Sequence, residues 1–176
     1  MKLNIHERPL HAAPDQVGAL IDTLASPKDA LCPIYWWPRM QFDRPLSVGA
    51  TGGHGTIRYF VEEYYPGKSI TFRFTAPPEF TGFHGYEIVE KADQSVLLRH
   101  TLQITTHGRT RLSWPLMFRP LHDALIEDSL TMAQVSLGLS PQVQPWSLWV
   151  RFLRWIMSGG KARAHVLPTS HTQILR

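Results

Sequence analysis

The side chains of this sequence best suited to chemistry near neutral pH are histidines, nine in 176 residues against a single cysteine. Three of them, His84, His100 and His122, fall where local patterns turn side chains inward, in company with Tyr59, Ser129 and Asp128. An imidazole titrates near neutrality and can pass a proton to or from a carbonyl or enol. The same set can hold the polar group of an otherwise apolar ligand. It can equally consist of core histidines, each satisfied by a neighbouring carbonyl or hydroxyl. The three readings stay open at this level.

Other arrangements carry less. Imidazoles bind zinc, but a His84–His100–His122 site needs all three at one depth, with Asp128 as its one nearby carboxylate. The expectation is no metal and no cofactor. His122-Asp123 and Glu127-Asp128 suggest acid–base dyads, yet helical angles turn Asp123 and Glu127 to solvent. The glycine-rich passage Gly49–Gly55 lacks the Gly-Lys-Ser/Thr ending of a phosphate loop. Cys32, alone, excludes an intrachain disulfide and a cysteine-built zinc site.

The elements that must position these groups follow from periodicity. Lys2–Glu7 alternates enough for a short strand, and Pro14 opens a helix carrying Val17, Leu20, Ile21 and Leu24 at helical spacing. Ile57, Tyr59 and Val61 alternate with polar residues, as do Ile70, Phe72 and Phe74, and Pro66-Gly67 lies between the two runs. That is a hairpin with Tyr59 opposite Phe74 and Val61 opposite Phe72. A second hairpin is expected about Lys91-Ala92-Asp93, placing Tyr86 opposite Leu98 and His84 opposite His100. A third, through Thr106-His107-Gly108, places His100 opposite Trp114 in a strand Thr110–Trp114. The inward row of this register is His84, His100, Trp114.

Arg119–Gly138 then reads as a helix of about five turns, with Pro120 in its first turn and Gly138 as its stop. His122, Ser129 and Ser136 form a polar stripe in the middle of its buried side. Asp123, Glu127, Thr131 and Gln134 form the wet side, and Asp128 falls within an apolar arc, an unusual place for a carboxylate.

This order of strand, short helices, antiparallel meander and long helix resembles the helix-grip fold of the SRPBCC or START-like superfamily. That superfamily includes polyketide cyclases/aromatases, lipid-transfer domains and plant ligand-binding allergens. The resemblance spans Lys2 to Gly138 and rests on LHAAPDQVGALIDTL, GGHGTIRYFVEEYYPGKSITFRF, GFHGYEIVE and RPLHDALIED. It is most similar to small bacterial members of unassigned activity. The resemblance implies an α+β fold in which a curved antiparallel sheet wraps the long helix around a hydrophobic cavity. It implies no residue roles, because the superfamily shares no catalytic motif.

With such a cavity, the ligand-binding candidates are Tyr59, Phe72, Phe74, His84, Tyr86, His100, Trp114, His122, Asp128 and Ser129. The expected partner is a hydrophobic or aromatic small molecule, lipid- or polyketide-like. The alternatives are a cyclase or dehydratase using His84, His100 or His122 as acid/base, and a membrane-associated lipid-handling module.

The last alternative comes from WSLWVRFLRWIM, Trp146–Met157, which holds three of the six tryptophans and no acidic residue. As a helix it carries Ser147, Arg151, Arg154 and Ser158 in one narrow sector, with apolar residues elsewhere. Such a segment must bury its surface on its own domain, on a second copy or on a membrane. The expected division is a domain over 1–140 and a basic amphipathic extension over 141–176.

Charge agrees with that division. Residues 146–176 hold five Lys and Arg and no Asp or Glu, leaving 13 Lys and Arg against 14 Asp and Glu in the rest. The near-neutral body argues against a nucleic-acid-binding domain, which usually carries a basic face. The opening MKLNIHERPL has no signal-peptide core, and no apolar run approaches the roughly 20 residues needed to span a bilayer. A cytoplasmic protein, with or without peripheral membrane contact, is the expectation.

Overall fold

The computed structural model describes residues 1–91, 95–161 and 164–167. Seven antiparallel strands form one sheet: β1 (Lys2–Leu10), β2 (Gln41–Phe42), β3 (Thr51–His54), β4 (Ile57–Tyr65), β5 (Ser69–Ala76), β6 (Phe80–Glu90) and β7 (Val96–Thr106). Their spatial order is β1-β7-β6-β5-β4-β3-β2. Helix α1 (Pro14–Asp22) follows β1. After β7 the chain turns into 27 residues of continuous helix, made of α2 (Thr110–Ser113), a π-helical turn (Trp114–Phe118) and α3 (Arg119–Ser136). A short helix, α4 (Leu148–Met157), is the last element among the described residues. The architecture is α+β and helix-grip-like.

The β4–β5 hairpin has the expected register, with Tyr59 opposite Phe74 and Val61 opposite Phe72. In the β6–β7 hairpin, Tyr86 pairs with His100 and His84 with Leu102. The expected pairs, Tyr86 with Leu98 and His84 with His100, are each two residues off. The loop runs on to Ser95, whose carbonyl accepts from Lys91 N at 2.9 Å, so the strand after it begins later. A slip of two keeps every side chain on its face, so the inward parity survives. Ala92 and Asp93 of the expected turn lie outside the described residues.

Thr110–Trp114 is helical, which corrects the expected third hairpin. Strand β1 pairs with β7 along Lys2–Leu10, so β7 has no free edge for another strand. Pro115, which lacks an N–H, falls in the π-helical turn. Trp114 is buried all the same, in a cluster with Phe80, Leu102 and Ile104.

The supposedly wet face of α3 is covered. Thr131 and Gln134 are buried. Thr131 Oγ1 donates to the carbonyl of Gln142, and Gln134 Oε1 accepts from the Arg8 guanidinium at 2.8 Å and from Gln142 N at 2.9 Å. Helical angles see only the helix. They cannot show that the chain after α3 doubles back over it while β1 lies alongside.

Candidate functional site

Across the concave face of the sheet, neighbouring strands set polar rings side by side. His6 on β1 lies opposite His100 on β7, which lies opposite Tyr86 on β6. One step along, Leu102 lies opposite His84, which lies opposite Phe72 on β5. Helix α3 lays His122 and Ser129 over these rows. Ring centroids are 5.6 Å apart for His84–His100 and 5.1 Å for His100–His122. Tyr59, Phe72 and Phe74 surround His84 at 4.7, 5.1 and 5.0 Å, so the aromatic side of the row is in close ring contact.

The hydrogen bonds are uneven. Ser129 donates to the Leu31 carbonyl at 2.9 Å, so its oxygen accepts the Tyr86 hydroxyl at 2.8 Å. Tyr59 Oη lies 2.9 Å from His54 Nδ1, and His100 Nε2 lies 3.4 Å from His84 Nδ1. His84 Nε2, His100 Nδ1 and both ring nitrogens of His122 are buried with no hydrogen-bond partner among the described residues. Burial, reinforced by the neighbouring histidines, holds His84 and His100 well below the usual imidazole pKa. His54 is pulled down to about 4, first by burial, then by His122 and Arg58. The row is therefore neutral at pH 7, able to give or accept hydrogen bonds but not to carry charge.

At the β1 end the electrostatics invert. Burial pulls His6 down, but Asp123 and Glu127 outweigh it and raise the imidazole to about 9. His6 Nδ1 lies 2.7 Å from Glu127 Oε1, and His6 Nε2 lies 3.3 Å from Asp123 Oδ1. His6 was missed at the level of sequence. The alternation of Asn4, His6, Arg8 and Leu10 was the available signal, but their partners on β7 and α3 lie about a hundred residues away.

Two of the candidates stand apart from the row. Trp114 belongs to its own apolar cluster. Asp128, 1% exposed, accepts hydrogen bonds from Trp37 Nε1 at 2.7 Å and Trp146 Nε1 at 2.9 Å, and pairs with His165 Nε2 at 2.7 Å. Its place in an apolar arc is explained: it is the anchor of the C-terminal segment. Trp146 also stacks on His165, and the Arg154 guanidinium lies 4.4 Å over the Trp37 ring and donates to the Trp36 carbonyl. Helix α4 thus docks on its own domain through Val150 and Arg154. Trp149, Phe152, Trp155 and Ile156 remain about half exposed. The basic residues Arg163 and Arg176 lie outside the described residues.

No protein-family model and no curated protein matches the sequence. Solved structures do. An NMR structure of a Thermobifida fusca protein matches with a TM-score of 0.59 at 13% identity, covering 82% of this chain and 100% of that one. XoxI from Bacillus cereus gives 0.56 at 17% identity, over 77% and 95%. Norcoclaurine synthase from Thalictrum flavum, a point mutant in complex with a transition-state analogue, gives 0.55 at 13%, over 78% and 94%. At such identities the likeness concerns fold alone. The chain has the helix-grip fold of the SRPBCC, or Bet v1-like, proteins.

Proposed function

We propose that the protein binds a hydrophobic or aromatic small molecule between sheet and helix, its polar group held by His84, His100 and His122 among Tyr59, Phe72, Phe74 and Tyr86. The observation that carries this reading is the set of buried imidazole nitrogens without partners. A buried polar group left unsatisfied costs about 1–3 kcal/mol, which a ligand carbonyl or hydroxyl would offset. A fold neighbour, norcoclaurine synthase in complex with a transition-state analogue, lends support. Hydrophobic fluorophores should bind stoichiometrically and quench tryptophan emission. Leu125→Trp, which adds bulk beneath the helix, should weaken them. His84→Phe should lower the affinity of carbonyl-bearing probes more than that of hydrocarbon ones. A folded protein that binds no apolar probe would identify the row as filled core.

A second reading, contact with an anionic bilayer, rests on the outer face of α4. Trp149 donates its indole N–H to the Leu116 carbonyl at 2.6 Å, joining the half-exposed arc of α4 to exposed Leu112 and Leu116. The same segments carry exposed Arg109, Arg111, Arg151 and Lys161, and residues 94–122 and 129–176 contain no Asp or Glu. Tryptophans beside arginines on an apolar face suit a lipid interface. No helix among the described residues is long and apolar enough to cross a membrane. The protein should float with anionic vesicles in low salt and not with neutral ones. A stable dimer that covers this face, with no flotation, would replace this reading with self-association.

A further inference from the structure

The cluster at the β1 end of the histidine row has the geometry of a cation site, independently of any ligand in the interior. His6, His122 and Asp123 each offer a donor atom within 4.8 Å of the other two. His6 Nε2 is 3.3 Å from Asp123 Oδ1, and His122 Nδ1 is 3.6 Å from the same oxygen. Bonds of 2.0–2.2 Å at a tetrahedral angle place two donors about 3.3–3.5 Å apart. The two separations to Asp123 Oδ1 are thus close to the edges of a coordination tetrahedron, and the third lies within 4.8 Å. Asp123 Oδ1 also accepts from Asn4 Nδ2 at 3.1 Å, which leaves it a second lone pair.

Two further observations point the same way. Both ring nitrogens of His122 are buried and have no hydrogen-bond partner among the described residues. A cation on Nδ1 would satisfy one of them and leave Nε2 the proton. His6 also already has the support that metal-binding histidines use: its Nδ1 lies against Glu127 Oε1 at 2.7 Å, while Glu127 Oε2 accepts from Arg8 at 2.7 Å. An Nδ1–H donated to a carboxylate leaves the Nε2 lone pair for the ion. Outside the cluster, Arg119 lies 3.6 Å from Asp123 Oδ2, so the outer oxygen faces solvent charge and the inner one faces the histidines.

We propose that His6 Nε2, His122 Nδ1 and Asp123 Oδ1 bind one divalent first-row transition ion, zinc best matching two imidazoles and a carboxylate. Glu127 and Arg8 act as positioning residues. Three protein donors leave a fourth position for water or for a polar group reaching in along the row. Binding displaces the proton that His6 otherwise shares with the two carboxylates. The competing arrangement is a simple ion cluster in which His6 is an imidazolium and no metal enters.

The test uses untagged, chelator-stripped full-length protein whose fold is verified by circular dichroism. Co²⁺ should give the visible absorption of a tetrahedral nitrogen–oxygen site, saturating at one equivalent, and Zn²⁺ should displace it. His122→Phe and Asp123→Asn should abolish the spectrum. Glu127→Gln should weaken binding about 10–100-fold, and His107→Ala, an exposed loop change, should leave it intact. If His122→Phe does not fold, partly exposed Asp123 provides the decisive variant. Folded wild-type protein without cobalt absorption would overturn the proposal. So would a spectrum unchanged in Asp123→Asn, which would place the ion elsewhere.

Discussion

If Asp128 anchors the C-terminal segment, its carboxylate and the Trp146 indole should be energetically coupled. Asp128 is 1% exposed, and its Oδ2 accepts both indole N–H groups while Oδ1 faces His165. Removing the shared acceptor leaves the Trp37 and Trp146 indole N–H groups without it, at about 1–3 kcal/mol each, so Asp128→Ala should remove a large share of a stability of roughly 5–15 kcal/mol. Trp146→Phe removes one donor and part of a ring. The ring loss is common to both backgrounds, whereas a hydrogen bond to a charged group contributes about 1.5–3 kcal/mol only when Asp128 is present. The double-mutant cycle should therefore return a coupling of about 1.5–3 kcal/mol. Urea unfolding followed by far-ultraviolet circular dichroism measures it free of changes in tryptophan emission. Limited proteolysis should show cuts in 141–176 that appear in Asp128→Ala and are slower in Asp128→Asn, which keeps one acceptor. A coupling below about 0.5 kcal/mol, or tail proteolysis indifferent to Asp128, would refute the anchor.

Acid should destabilise the fold before the carboxylates titrate. His84 and His100 have folded pKa values below the unfolded value near 6.5. Their stabilising effect is thus complete above that pH and lost as pH falls below it, by up to about 1.4 kcal/mol per pH unit for each; urea midpoints unchanged between pH 7 and 5 would contradict this. Gly18→Ala should be poorly tolerated, because a Cβ there would lie 1.9 Å from the Gly67 carbonyl oxygen in the β4–β5 turn. A loss well beyond the helix-propensity gain of about 1 kcal/mol is expected in thermal unfolding. Arg154→Lys should loosen α4 despite keeping the charge, because the guanidinium both sits over the Trp37 ring and donates to the Trp36 carbonyl; protease susceptibility of α4 equal to wild type would count against it.

How far the sequence alone reaches depends on the distance over which each feature is decided. Tyr59 opposite Phe74 is legible because a short turn and two alternating strands settle it locally. The inward parity of His84 and His100 is legible for the same reason, but their partners depend on where the loop to Ser95 ends, and so the register slips by two. Five residues, Thr110–Trp114, fit a strand and a helix equally well. What decides between them is that β1, a hundred residues earlier, already occupies the edge of β7. The same pairing puts His6 opposite His100 and beneath Asp123 and Glu127, which helical angles alone turn to solvent. Asp128 is visible in the sequence as a misplaced carboxylate. Its three partners, Trp37, Trp146 and His165, come from segments whose meeting no local pattern encodes. Period and turn chemistry thus determine which face each residue takes, whereas which charges, rings and imidazoles meet is decided by long-range packing.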